Sequence, residues 1–482
     1  MKCMETRVRS TEQSGTYAKN TITTQTGNST MKKTAASTEI FENLPVPQAL
    51  MKMAIPTIFA QIIVLIYNMA DTFYLGRIGD PYMVAGASLI LPIFNICLAL
   101  SGLAGIGGGA VVSRLLGKKR EEEASKVTAF CFYLAICVAA AFSLTMFLFM
   151  DGILRILGAS DRTIRYAAQY STCVIVLGAV PTVLSNVMAN HLRSTGLSKE
   201  AGFGIMAGGI LNIFLDPLFM FVLLPKGNEI LGVGIATLLS NCVACIYFFT
   251  VIYRIREEST VTFRFRGLPE NSSILSIFRV GIPSGLAAFL FDMDYIVIDR
   301  LMSGYGDVAL AAIGIVLKVE RLPLNTGIGL CHGMMPIVAY NSSAGNYPRM
   351  KETIRDTILA GLAVGVFSIV LYEIFAPEIM HIFITDAETA VLGTGFLRVR
   401  ILATPLMFSS FFTVYVFQGF GEGHTALFLG VTRWLVFNIP LLFILNAVFR
   451  MYGIVWAQVA GDLPTVVLSA AVYRRYMKKQ SY

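Results

Sequence analysis

Twelve apolar segments, each long enough to cross a bilayer, constrain this chain more than any other feature of its sequence. A helix needs about 20 apolar residues to span the hydrocarbon core of a membrane. Windows of that length recur from residue 48 to residue 474. The pattern predicts an all-α polytopic membrane protein with spans at 50–74, 83–106, 127–150, 166–190, 203–225, 231–253, 279–299, 308–337, 357–376, 399–420, 434–449 and 453–473.

The composition excludes a soluble globular domain. Apolar residues make up 55% of the chain and charged residues 14%, whereas soluble domains carry about 25% charged residues. The net charge of +8 would suggest a nucleic-acid partner in a soluble chain. In a membrane protein it is the distribution of this charge that matters, and we expect the bilayer as a partner and no nucleic acid.

Lys and Arg residues are concentrated on one side of the predicted bundle. With both chain ends on the same side, and with residues at the ends of spans counted with the adjacent loop, 27 of them fall on that side, 9 on the opposite side and 2, Lys318 and Arg321, inside the spans. Cytoplasmic loops are enriched in Lys and Arg. The sequence therefore predicts a multi-pass protein of the plasma membrane, a monomer, with both termini in the cytoplasm.

The predicted domain organisation is two lobes joined by a charged linker. Residues 1–45 are rich in polar residues and lack the apolar core of a signal peptide, which indicates a disordered cytoplasmic tail. The remaining predicted units are a six-helix lobe at 46–255, a cytoplasmic linker at 256–272, a second six-helix lobe at 273–476 and a C-terminal tail at 477–482.

The two lobes repeat each other at an offset of about 225 residues. Ile55-Pro56 recurs as Ile282-Pro283, and Asn212-Ile213 recurs as Asn438-Ile439. An even number of spans per half gives both repeats the same orientation, so they are parallel repeats related by an axis along the membrane normal. We expect substrate to bind in the cleft between the lobes, near the middle of the membrane.

One acidic residue stands out because it lies in an otherwise apolar helix. Asp216 follows the segment FGIMAGGILNIF and precedes LFMFVLL, with Asn212 one turn earlier on the same helix face. A carboxylate in a membrane helix costs about 2.5–3.5 kcal/mol on insertion scales and is by default a functional residue. Asp216 is therefore the first candidate for a functional site.

Several motifs together resemble the MATE (multidrug and toxic compound extrusion) family over residues 45–478. They are AIP at 54–56, NMADTFYLGRIG at 68–79, NIFLDP at 212–217, GIAT at 234–237, PIVAYN at 336–341 and GNYPR at 345–349. The resemblance implies a twelve-helix, V-shaped antiporter, not an enzyme, that exports organic and often cationic compounds in exchange for H⁺ or Na⁺, with no cofactor besides the coupling ion. Acids at Asp71 and Asp216 follow the pattern of its DinF-like branch.

The resemblance also implies which residues bind the coupling ion. On the matching positions these are Asp71, Asn212, Asp216 and Thr237, which are also the candidate Na⁺ ligands. Weaker matches, as supporting residues, are Tyr67, Asn68, Asn186 and Asn190.

Two carboxylates in one dry site cannot easily both be ionised, so Asp71 and Asp216 could bind a proton near neutral pH or hold Na⁺ between their oxygens. Two simpler interpretations stay open. Asp71 could be a helix-end residue at the outer interface, and Asp216 could make only a packing hydrogen bond.

The second lobe carries charges that the first lobe lacks. They are Asp292, Asp294, Asp299, Lys318, Glu320, Arg321 and Asp462. One interpretation is a structural ion-pair network, such as Lys318 or Arg321 with Asp292 or Asp299. The other is a second coupling site, or acids that attract cations into the cleft.

Two other function classes would require features different from those of a multidrug efflux antiporter. A flippase for a lipid-linked glycan would need a basic cleft for phosphates, and Lys318 and Arg321 are the basic residues that the predicted spans offer. A membrane-embedded enzyme would need a metal or nucleophile cluster, whereas the four His residues are scattered at 191, 332, 381 and 424.

Overall fold

The computed structural model describes residues 39–78 and 80–479. Within these residues the chain is helical and contains no strand. Its long helices are α1 Val46–Arg77, α2 Pro81–Gly117, α3 Glu121–Ile156, α4 Ile164–Ser171, α5 Ala179–Ser194, α6 Ser198–Pro217, α7 Glu229–Ile255, α8 Asn271–Met302, α9 Asp307–Val319, α10 Arg321–Ser343, α11 Tyr347–Phe383, α12 Ala387–Ile401, α13 Thr404–Phe420, α14 Gly423–Val431 and α15 Ile439–Lys479. Segments of π-helix continue α4, α6 and α14 at Thr172–Leu177, Leu218–Leu223 and Thr432–Asn438.

The helices make twelve membrane crossings, as the sequence predicts. Eight helical stretches are long and apolar enough to span a membrane, and two bent pairs, α4 with α5 and α12 with α13, add one span each. The last stretch, Gly423–Lys479, has 57 residues, which is too long for one crossing. It is broken at Arg450, where φ is 54°, and so forms two spans. The consecutive helices α9 and α10 form the remaining one.

The structure confirms the internal repeat. The two bent spans occupy equivalent positions in the two lobes, and their bends are 46° and 47°. Each bent span ends at a glycine with a left-handed backbone, Gly196 with φ of 91° and Gly421 with φ of 83°. A glycine adopts this conformation without the steric cost that a side chain would add.

The lobes pack tightly at the end of the bundle that holds residues 39–45 and the end of α15 at Lys479, here called the terminal side. The α2 helix runs antiparallel to α8, so that Gly107 packs on the backbone of Ile277 and Gly281 packs on Leu103. On the other face of the interface Gly333 of α10 packs on Ala54 of α1. These contacts lie in the terminal-side halves of the helices, so the lobes are closed there.

Residues 39–45, which the sequence analysis assigned to a disordered tail, are packed against both lobes. Phe41 is fully buried and stacks on Tyr340, with ring centroids 5.2 Å apart, and Arg349 donates to the Phe41 carbonyl oxygen at 2.6 Å. Glu42 accepts hydrogen bonds from Lys119 of the first lobe and Tyr340 of the second. Burial opposes its ionisation, but these hydrogen bonds outweigh burial and lower the pKa of Glu42.

The expected tail is therefore corrected at its end: residues 39–45 are part of the folded terminal side because Phe41 and Arg349 hold them there. Residues 1–38 lie outside the described part of the chain.

Substituting Gly107 with Ala should destabilise the closed interface between the lobes. A methyl group at this position would lie 2.5 Å from the Ile277 carbonyl oxygen, and overpacking of this kind costs about 1–3 kcal/mol. The matched control is Gly314→Ala, since a methyl group there meets no atom within 4 Å. Thermal unfolding of the purified protein in detergent measures both. An equal melting temperature for the two variants would contradict the inferred close approach.

Candidate functional site

The first lobe buries the acid that the sequence singles out. Asp216 lies at the end of α6, next to Pro217, and is fully buried, while Asn212 is 2% exposed. The Asn212 Nδ2 atom donates to Asp216 Oδ1 at 3.3 Å. Proline has no N–H to donate to the helix, and the chain passes here from α-helix into the π-helical segment Leu218–Leu223.

The second acid comes from α1. The Asp71 and Asp216 carboxyl groups face each other closely enough to share a hydrogen bond when one of them carries a proton. Tyr67, one turn before Asp71, and Tyr170 of α4 lie near both carboxyl groups. Asp71 therefore faces into the lobe and is not simply a helix-end residue, while Tyr170 is a neighbour that the sequence analysis did not identify.

Several oxygen atoms around this pair are buried without a hydrogen-bond partner in the described part of the chain. They are Asp71 Oδ1, Asp216 Oδ2, Asn212 Oδ1 and Thr237 Oγ1. No basic side chain in residues 39–78 or 80–479 neutralises either carboxyl group. Because each unsatisfied buried polar group costs about 1–3 kcal/mol, the arrangement favours a ligand that these oxygens can bind.

The chemistry of these donors fits a proton or a hard monovalent cation. Carboxylate, amide and hydroxyl oxygens are the ligands that hard cations prefer. The described residues offer no group of three or more His, Cys, Asp or Glu side chains that could hold a metal ion. Thr237 lies one turn from Gly234, which packs on Tyr170, so α7 borders the same part of the lobe.

The supporting asparagines make other contacts. Asn186 and Asn190 of α5 donate at 2.9 Å to the backbone oxygens of Thr182 and Asn186, and Arg193 donates to Asn190 Oδ1 at 3.2 Å. These bonds tie them to their own helix. Asn68 is exposed and donates to the Val64 carbonyl oxygen at 2.8 Å.

The second lobe buries a bidentate ion pair. Arg400, whose side chain is 2% exposed, donates through Nε and an Nη atom to the two carboxylate oxygens of Glu320 at 2.7 and 2.8 Å. The Tyr295 hydroxyl donates to the same carboxylate at 3.2 Å. Paired N–H groups in one plane are the strong form of a carboxylate contact, so Glu320 is held and neutralised.

A second buried ion pair joins the last two spans. Arg433 donates to the Asp462 carboxylate at 2.9 and 3.3 Å, and Gln458 donates to the same group at 2.9 Å. The Arg433 guanidinium also lies 4.5 Å from the ring centroid of Phe411 and 4.4 Å from that of Trp434. Aromatic faces attract a cation and help to fix this arginine.

Among the described residues neither Lys318 nor Arg321 pairs with Asp299, while the predicted pairs with Asp292 lie outside what the structure describes. Lys318 and Asp299 are exposed, and Arg321 lies over the Tyr295 ring at 4.9 Å. The basic partners are Arg400 and Arg433, which the sequence analysis had placed in loops. The bend between α12 and α13 and the early start of α14 at Gly423 bring them into the spans.

Asp294 is a further buried acid of the second lobe. It is 1% exposed, and Asn438 Nδ2 donates to its Oδ1 atom at 2.7 Å. Asn438 is the repeat counterpart of Asn212, so both lobes place an amide beside an acid. In the first lobe the acid is on the same helix, whereas in the second it comes from α8.

Removing Arg433 should strongly destabilise the protein. Arg433→Met leaves Asp462 buried without its counter-charge, and breaking a buried ion pair costs about 3–5 kcal/mol. The double variant with Asp462→Leu should recover most of the loss. Arg155→Met is the control, because the Arg155–Asp161 pair is 58% and 88% exposed and such pairs contribute about 0–1 kcal/mol. Denaturant unfolding of the four proteins measures this; equal losses at Arg155 and Arg433 would contradict it.

Comparisons with known proteins agree with this architecture. The MatE family model matches residues 56–218 and 283–444. The multidrug export protein MepA of Staphylococcus aureus is 30% identical over 426 residues, which cover 88% of this chain and 92% of MepA.

Two solved structures share the fold. One is a multidrug resistance MATE family transporter of the MOP superfamily in its outward-facing conformation, with a TM-score of 0.87 and 22% identity over 92% of this chain and 98% of that chain. The other is a mutant of the Vibrio cholerae MATE transporter VcmN, with a TM-score of 0.84 and 17% identity over 93% and 98%. The chain belongs to the MatE family of membrane transporters.

Proposed function

We propose that this protein is a multidrug efflux antiporter that exports organic, often cationic compounds in exchange for H⁺ or Na⁺. The observation that supports this proposal most directly is the buried pair Asp71 and Asp216 without a basic partner among the described residues. The name of MepA, a multidrug export protein, supports the substrate class. Assignment to the DinF-like branch stays a prediction from the acids of the first lobe.

The proposed exchange follows from competition for one charge. A proton or Na⁺ at Asp71 and Asp216 satisfies their unpartnered oxygens and removes negative charge from the lobe. When the ion leaves, the carboxylates can attract an organic cation. A site that can hold one or the other, but not both, links their movements in opposite directions.

We further propose that the terminal side is cytoplasmic and that transport proceeds by alternating access. Lys and Arg residues remain concentrated on the terminal side when Arg400 and Arg433 are counted with the spans. This bias is typical of cytoplasmic loops. The lobes are closed there through Gly107, Gly281 and Gly333, which corresponds to an outward-facing arrangement. We expect a monomer in the plasma membrane.

The flippase alternative is less well supported. It requires several free positive charges in the cleft for phosphate groups. Arg400 and Arg433 of the second lobe are each neutralised by a carboxylate, which leaves Arg193 of the first lobe, 8% exposed and bonded to Asn190, as the buried arginine without a carboxylate partner among the described residues. Lys318 is exposed. An antiporter for cations needs no such basic cleft.

Asp216→Asn and Asp71→Asn should abolish coupled export while leaving folding intact, because an amide cannot take up and release a proton or supply the charge that holds a cation. We expect gradient-driven efflux of a cationic dye from proteoliposomes to fall at least tenfold in each. Asp151→Asn, at an exposed position, is the matched control and should transport normally. Efflux that still depends on the gradient in Asp216→Asn would remove this residue from the coupling site.

Separately imposed gradients should identify the coupling ion. Proteoliposomes loaded with dye are given either a pH gradient or a sodium gradient, with the membrane potential clamped. We expect one gradient to drive export of chemically unchanged dye in the native protein and to fail in Asp71→Asn. Export that neither gradient accelerates would contradict antiport, and chemically altered dye would indicate an enzyme.

A further inference from the structure

A polar cavity lies between the lobes on the terminal side, far from the acid pair. Its volume is about 390 Å³, and it opens at the level of the helix ends. Its walls come from the end of α2, the start of α8 and the ends of α10, α13 and α15. The side chains that line it include Arg114, Lys118, Arg120, Ser272, Ser273, Ser276, Ser342, Ser343 and Tyr476.

The charged groups in the cavity wall are all basic. Arg114 is mostly buried, and Lys118, whose side chain is exposed, has no ion-pair partner in the described part of the chain. Arg120 pairs with Glu270 at the rim, and Glu422 lies beside Arg279 at 4.0 Å, outside the wall. Glu422 is also close enough to attract Arg114, so Lys118 is the wall cation left without an ion-pair partner among the described residues, and Arg114 adds its positive charge beside it.

Hydroxyl groups surround these cations. Five serines and Tyr476 line the cavity. Ser272 donates to Glu270 and Ser342 to the Ala339 carbonyl oxygen, whereas Ser276 accepts from Arg114 at 2.8 Å and keeps its own proton to donate. A hydroxyl can donate to an anionic oxygen. The helix α8 begins here at Asn271, with Glu270 as its N-cap, and the Glu270 N–H donates to the Glu123 carboxylate at 2.7 Å.

We propose that this cavity binds a phosphate-bearing anion. A phosphate group has several acceptor oxygens and no apolar part, which suits two cations and a ring of hydroxyl donors better than an apolar drug does. Arginine matches phosphate geometry with paired N–H groups, and lysine binds it as a point charge. The site is separate from Asp71 and Asp216, so it does not depend on the proposed coupling chemistry.

The ligand would bridge the two lobes. Arg114 and Lys118 belong to the first lobe, whereas the serines at 272, 273, 276, 342 and 343 belong to the second. A phosphate held by both sets is bound best while the lobes are closed on the terminal side. Binding therefore stabilises the closed arrangement, because a ligand shifts an equilibrium toward the state that it binds more tightly.

Thermal unfolding of the full chain in detergent, titrated with inorganic phosphate at constant ionic strength, tests the proposal. We expect a rise in melting temperature that acetate does not reproduce. In Lys118→Glu the concentration for half of this rise should increase at least tenfold. Lys351→Glu, an exposed lysine outside the cavity wall, is the matched control and should behave like the native protein. Equal titrations for Lys118→Glu and the native chain, or an equal effect of acetate, would overturn the proposal.

A second arm distinguishes a soluble phosphate from a lipid headgroup. The native chain and both lysine variants are placed in nanodiscs of phosphatidylcholine with or without phosphatidylglycerol. If the lipid is the source, phosphatidylglycerol raises the melting temperature of the native chain but not of Lys118→Glu, while inorganic phosphate adds nothing further. If the source is soluble, inorganic phosphate acts in both membranes. No Lys118-dependent effect in either arm would refute the site, whatever the transport assays show.

Discussion

The desolvation of Asp71 and Asp216 is the constraint on which the first lobe depends. A charged group in a dry environment needs a counter-charge, a metal or a proton, and among the described residues this pair has no basic partner. Asn212 supplies one hydrogen bond at 3.3 Å, which does not neutralise a carboxylate. A bound proton or cation would supply the missing positive charge, and this is the physical basis for the proposal that the lobe couples transport to an ion.

In the second lobe, two buried carboxylates are neutralised by side chains of the protein itself. Its acids Glu320 and Asp462 are each neutralised by an arginine held in place. One pair fixes the bent span of α12 and α13 and the other fixes the last two spans, because removal of either partner leaves an unpaired buried charge. The repeat thus gives two lobes of one backbone design. The first buries Asp71 and Asp216 without a basic partner among the described residues, whereas the second neutralises Glu320 and Asp462 with arginines and leaves Asp294 bonded to Asn438.

Sequence patterns predicted the fold better than the site because they report local properties. Apolar windows and the recurrence of Ile55-Pro56 as Ile282-Pro283 were enough for twelve spans and a parallel repeat. Asp216 could be identified from the sequence because the apolar residues around it include no other charged residue. The ion-pair partners could not be predicted in this way. Arg400 contacts Glu320, which is 80 residues away in sequence, and the contact depends on where a helix bends. The role of residues 39–45 was equally hidden, because polar neighbours masked the buried Phe41.

The first helix connects the two regions that matter for transport. Its terminal-side half is fixed on both sides: Thr57 bonds to Ser198 of α6 at 3.1 Å, and Ala54 packs on Gly333 of the other lobe. Its outer half carries Asp71, which meets α6 again at Asp216. At a rise of 1.5 Å per residue, Asp71 lies about 25 Å along the helix from Ala54. Repulsion between the two carboxylates would separate α1 from α6 at the outer end only, because the inner end is held by neutral packing that the ion does not change. Under the proposed coupling, an ion at Asp71 would alter the first lobe while the terminal side stays closed, and opening of that side would require the glycine contacts between the lobes to separate as well.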